Sequence, residues 1–125
     1  MSRARVLVIE DEIDVAATLL EQLAGRDYDV MTAITVKEGF DVVDTFRPHV
    51  LLLDISLPGL SGPGLLPIFG RVYPGLPVIV VTSTVDPAVL REVAAHKPFH
   101  LLHKPWDLDA LDRLVAAAAK ESRLS

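Results

Sequence analysis

The sequence predicts an α/β fold, a parallel five-stranded sheet between two layers of helices, on three observations. Five short apolar runs alternate with longer stretches of helical period. Three of those runs are apolar throughout, as strands covered on both faces are. A chain of 125 residues has the size of one domain with one hydrophobic core.

Each element has its own justification. The first strand is the run at residues 6–9, and Ile13, Ala17, Leu20 and Leu23 recur behind it at helical spacing to mark the first helix and its apolar stripe. The second strand covers residues 28–32, and Val36, Phe40 and Val43 mark the second helix. The third strand, residues 50–53, is followed by a helix that begins after Gly62 and runs to about Val72 despite Pro67 and Gly70, stopped by Tyr73, Pro74 and Gly75. The fourth strand is residues 78–81. Asp86 and Pro87 read as a cap and first-turn proline, opening a fourth helix that ends before Lys97 and Pro98. A fifth strand at residues 99–102 precedes a fifth helix marked by Leu108, Leu111, Val115 and Ala118. Right-handed crossovers leave few ways to join such units. The expected architecture is a flavodoxin-like (βα)5 three-layer sandwich with strand order 2-1-3-4-5 and the first, third and fourth strands central.

Composition narrows the function. Half the residues are hydrophobic and 23% are charged, a globular balance. The net charge of −5 argues against nucleic acid or an anionic membrane as a direct partner. With no cysteine there is no disulfide framework, thiolate zinc site or cysteine nucleophile. No apolar run approaches the roughly 18 residues that span a bilayer. The run after Arg3 and Arg5 is too short for a secretory signal, so the expected location is the cytoplasm.

In such folds chemistry gathers at the carboxyl ends of the strands. The first strand delivers Glu10, Asp11 and Glu12 there, the third Asp54, the fourth Thr82, Ser83 and Thr84, and the fifth Lys104 and Pro105. Neighbouring strands lie about 4.8 Å apart, so Glu10, Asp11 and Asp54 crowd into one cleft whose repulsion calls for a cation. Magnesium suits all-oxygen ligands and leaves coordination sites for a phosphoryl group. Lys104 starts about 10 Å from Asp54 and is long enough to close that gap. A carboxylate nucleophile, a divalent ion, a hydroxyl and a lysine form a set for phosphoryl transfer. The four histidines form no ligand cluster: His100 and His103 point to opposite faces of a strand, while His49 and His96 lie in connections. Trp106, the single tryptophan, is placed to pack over the start of the fifth helix.

These residues resemble a response-regulator receiver domain, the phospho-acceptor module of two-component signalling, over essentially the whole chain. The matching motifs are Glu10-Asp11 after the first strand, Asp54 with the Leu57-Pro58-Gly59 loop after the third, Thr82 after the fourth and Lys104-Pro105 after the fifth. The resemblance implies that Asp54 is phosphorylated. It implies that Glu10, Asp11, Asp54 and the Ser56 carbonyl hold Mg2+, and that Thr82 and Lys104 bind the phosphoryl group. It further implies a cis Lys104–Pro105 bond, a phosphohistidine donor on a histidine kinase or phosphotransfer protein, and a downstream protein target that reads the face of helix four, strand five and helix five. No enzymatic turnover is implied beyond self-phosphorylation and self-dephosphorylation at Asp54. Residues 1–125 are read as one receiver domain with no output domain.

The chain departs from the family pattern at Leu101, three residues before the lysine, where Tyr or Phe is usual. Phe99, two residues earlier and on the same face of a regular strand, is the candidate substitute. Lys97 and Pro98 replace small residues before the fifth strand. These departures motivate the competing reading, a receiver-like scaffold that binds a partner without phosphoryl transfer. An aspartate-nucleophile phosphatase is disfavoured because Ser56 stands where a second aspartate is needed. A flavin or dinucleotide protein is disfavoured because no glycine-rich phosphate loop follows the first strand.

Overall fold

The computed structural model describes residues 3–55 and 62–123. The elements run β1 (Arg5–Ile9), α1 (Ile13–Ala24), β2 (Asp29–Ala33), α2 (Val36–Phe46), β3 (Val50–Asp54), α3 (Gly62–Val72), β4 (Val78–Thr82), α4 (Pro87–Ala95), β5 (His100–His103) and α5 (Leu108–Glu121). All strands pair in parallel in the order β2-β1-β3-β4-β5, so β1, β3 and β4 are interior as the apolar runs require. Among the described residues no helix is long and apolar enough to cross a membrane.

Alternation along the interior strands divides the core. Val6, Val8, Val50, Leu52, Ile79 and Val81 pack under α1 and α5 through Leu19, Leu23, Leu111, Val115 and Ala118. Leu7, Ile9, Leu51, Leu53, Val78 and Val80 face α2, α3 and α4 through Val43, Leu66, Phe69 and Val93. Full burial of each such aliphatic side chain contributes about 1.5–3 kcal/mol. This burial holds α3 in place across Pro67, with Phe69 stacked on Phe40 of α2 at 4.7 Å. Helix α2 lies so close to β1 that a Cβ on Gly39 would collide with Ile9 Cδ1. The caps follow local chemistry: the side chains of Thr35, Asp86 and Asp107 accept backbone N–H bonds from Glu38, Ala88 and Ala110.

Two sequence expectations need correction. The buried stripe of α1 is Ala16, Leu19 and Leu23, whereas Ile13, Ala17 and Leu20 are exposed. This helix is apolar on several sides, so its 3.6-residue period fits more than one stripe, and its seat over the sheet selects between them. Phe99 and Leu101 do not share a face. Phe99 packs toward α1 and α5, Leu101 toward α2, α3 and α4. The reason is local: Lys97 takes a positive φ of 51°, Pro98 follows, and the strand begins only at His100. Phe99 therefore precedes the alternation that was counted through it.

Candidate functional site

Glu10, Asp54 and Thr82 are the buried polar or charged residues among the described ones, and they close the carboxyl ends of β1, β3 and β4. The Glu10 backbone N–H donates to the Ala33 carbonyl at 2.9 Å, tying the strand end to its neighbour while the side chain turns into the sheet's rim. Asp54 is the last residue of β3 and lies opposite Val81, so Thr82 stands one position beyond it on the next strand. The backbone N–H of Lys104 donates to the Thr82 carbonyl at 2.8 Å, which fixes the root of the lysine beyond β5.

From that root the Lys104 side chain crosses the end of β4. Its Nζ lies 2.7 Å from Glu10 Oε1, 3.5 Å from Asp54 Oδ2 and 3.4 Å from Glu12 Oε1. Lys104 is thus long enough to reach the acids at the ends of β1 and β3. The Lys104–Pro105 peptide is cis, as the resemblance implied. The Thr82 hydroxyl accepts the Thr84 backbone N–H at 3.0 Å, which leaves its own proton available for donation.

The electrostatics are unbalanced. The Glu10 carboxyl is pushed up to about 7 from an ordinary 4.5, first by burial, then by its hydrogen bond to Asp54 and that group's charge, against the lowering effect of Lys104 and of the Glu12 N–H. Lys104 moves the other way. Burial alone would lower it, but the hydrogen bond to Glu10 and the fields of Asp54, Glu10 and Glu12 raise it above its usual value. One ammonium is shared by three carboxylates, so the cleft favours a further cation.

Oxygens of Glu10, Glu12 and Asp54 lie within 4.8 Å of one another, a donor set that fits a hard divalent ion such as magnesium. The acidic cleft is compatible with phosphorylation of an aspartate in its floor. Of the residues singled out from sequence, the structure brings together Glu10, Asp54 and Lys104, with Thr82 beside them. Asp11 lies outside the group of converging oxygens, and Ser56 lies outside the described residues. Glu12, placed by the sequence at the same strand end but given no role there, joins the cleft in the structure. It is the N-cap of α1 but makes no side-chain cap bond, and its carboxylate turns to Lys104 instead. The available signal was its type: glutamate is one methylene longer than the residues that cap well. Trp106 packs against the α1 and α5 side of the core and donates its indole N–H to Gln22 Oε1 of α1 at 2.8 Å.

The same arrangement recurs in known proteins. The family model for the response regulator receiver domain matches residues 6–116. The DNA-binding transcriptional regulator NtrC of Escherichia coli K12 is 33% identical over 121 residues, which cover 94% of this chain and 25% of that protein. The response regulator protein PilR of Pseudomonas aeruginosa is 32% identical over 122 residues, 96% of this chain and 27% of its own. The chain thus spans about a quarter of the length of these curated relatives. Among solved structures, the signal receiver domain of a modulated diguanylate cyclase from Desulfovibrio desulfuricans G20 superposes with a TM-score of 0.85 at 30% identity, covering 96% of each chain. A response regulator receiver domain protein from Clostridium thermocellum gives 0.85 at 25% identity, covering 94% of each. The strand order, the buried acids at the strand ends and the lysine that reaches them thus sit in a chain that belongs to the response regulator receiver domain family, whose general function is phosphorylation-based switching in two-component signalling.

Proposed function

We propose that Asp54 is the phosphoryl acceptor of this chain and that its modification resets the face formed by α4, β5 and α5 for a downstream protein. Receiver domains are in general signalling modules rather than turnover enzymes, and they accept phosphate from histidine kinases. The observation that carries the reading here is Lys104, held across the end of β4 within 3.5 Å of Asp54 and 2.7 Å of Glu10.

The chemistry follows from these side chains. An Asp54 oxygen attacks phosphorus of a phosphohistidine as the phosphorus–nitrogen bond breaks. The imidazole leaves with the electron pair and takes a proton from solvent. Glu10 and Asp54, together with Asp11 and the Ser56 carbonyl that the family pattern adds, would hold Mg2+, which when bound would supply positive charge to the phosphoryl oxygens. Lys104 offers the same oxygens an ammonium that is charged throughout the physiological range, since its proton is held more tightly than usual. The Thr82 hydroxyl, already accepting from Thr84, donates its proton to a phosphoryl oxygen and draws the β4–α4 loop inward. Leu101, packed against the same core cluster as Val89 and Val93 of α4, carries that movement through the aliphatic core in place of an aromatic ring. Hydrolysis by water at phosphorus returns the free carboxylate.

The test is incubation with Mg2+ and a small acyl-phosphate donor, read as a base-labile mass gain. Wild type gains one phosphoryl group and Asp54→Asn gains none. A wild type that gains nothing overturns the reading in favour of a scaffold.

A further inference from the structure

Glu12 is given no role in the transfer step above, yet it is one of the three acids whose oxygens converge and is fixed at the mouth of the same cleft. Three observations single it out. Its side chain is 63% exposed, whereas the two acids that share Lys104 with it are 1% exposed. It occupies the N-cap of α1 without bonding its own helix, unlike Thr35, Asp86 and Asp107 at the starts of α2, α4 and α5. Its backbone N–H donates to Glu10 Oε2 at 3.3 Å, which holds the residue against the cleft while its carboxylate lies 3.4 Å from Lys104 Nζ.

We propose that Glu12 is a positioning residue for the reaction at Asp54: an exposed carboxylate that keeps the Lys104 ammonium at the cleft mouth and slows the approach of anionic phosphoryl donors. The inference rests on the assignment of Asp54 as acceptor. Its physical basis is competition. Before transfer, Lys104 is divided among Glu10, Asp54 and Glu12. After transfer, the phosphoryl oxygens need that ammonium, and Glu12 is the solvent-exposed partner from which it is released. A donor that carries negative charge also meets the Glu12 carboxylate before it meets Asp54. At exposed sites such repulsion is modest and screened by salt, so the effect is one of rate and is tunable. For an acyl-phosphate donor the step balances without a proton. An Asp54 oxygen bonds to phosphorus, the bond from phosphorus to the donor's carboxylate oxygen breaks, and the electron pair leaves with that carboxylate.

Two measurements on Glu12→Gln and Glu12→Asp test this. With acetyl phosphate and Mg2+, Glu12→Gln is expected to be phosphorylated about three- to tenfold faster than wild type at low ionic strength. The gain should vanish near about 1 M salt, where the screening length is about 3 Å. Glu12→Asp, which keeps the charge, should stay within about twofold of wild type at every salt concentration. The second measurement needs neither metal nor transfer. Labelling of Lys104 by an amine-reactive ester, read by mass spectrometry against Lys97 in the same sample, should be several-fold faster in Glu12→Gln. Equal phosphorylation rates, or a gain that ignores salt, overturn the inference, and so does equal labelling. If wild type takes up no phosphoryl group, the assignment of Asp54 falls, and the labelling rate alone decides whether Glu12 holds Lys104.

Discussion

At the carboxyl ends of the strands, Glu10 and Asp54 are buried together around one shared ammonium. At the amino ends of β1 and β3, Arg5 and His49 satisfy each other in pairs. There the Arg5 backbone N–H donates to His49 Nδ1 at 2.8 Å, the His49 N–H donates to the Arg5 carbonyl at 2.7 Å, and the Arg5 Nε–H reaches the Arg47 carbonyl at 2.8 Å. The imidazole acts as a neutral acceptor, and burial, followed by the Arg5 charge, lowers its proton affinity. At the amino ends of β1 and β3 these backbone and side-chain groups satisfy one another. The other end keeps a surplus of negative charge that a bound cation, or a proton on Glu10, relieves. Unfavourable interactions retained at one place while the rest of the fold is satisfied mark where function resides.

The sharpest way to break this contrast is to remove the shared ammonium. Lys104→Ala leaves the buried acids with no cation at 2.7 Å, and phosphorylation by a small donor is expected to slow by about a hundredfold or more. A rate within threefold of wild type would make the lysine incidental.

Glu10→Gln should act on stability instead. Folded Glu10 holds its proton up to about 7 and the unfolded chain only to 4.5, so raising pH through that window favours unfolding. Denaturant titrations in chelator at pH 8 should find the Gln variant more stable by on the order of 2 kcal/mol, with the difference gone below pH 4.5. A variant that is equally or less stable at pH 8 would mean that Lys104 already compensates the cluster.

The smallest effect belongs to the opposite end and has the opposite sign. His49 binds its proton less readily folded than unfolded, so wild-type stability should decline as pH falls below 6.5 toward the folded value. His49→Gln, which keeps an acceptor for the Arg5 N–H, should flatten that decline. If the variant follows the wild-type curve between pH 6.5 and 5, the amino end is not the neutral latch described here.

Much of this was legible before folding because parallel sheets impose a simple grammar. The runs ending at Ile9, Leu53 and Val81 are apolar on both faces, so the polar residues after them had to sit at one edge, and Glu10, Asp54 and Thr82 do. Lys104 was legible from its length and its place after the last strand. The apolar stripe of α1 was not, because Ile13, Ala17 and Leu20 obey the same period as the side chains that are buried. The side taken by Phe99 was hidden by the left-handed turn at Lys97, which no alternation rule anticipates.

By itself the amino-acid sequence determined the order of elements, the interior position of three strands and the edge at which ionisable groups collect. It did so because burial and periodicity are local properties of side chains. Which carboxylates share Lys104, which face α1 turns inward and how far Glu10 is driven from its ordinary proton affinity were decided by tertiary structure. These depend on distances between segments up to 94 positions apart in the chain, and on how completely the fold excludes water from the space between them.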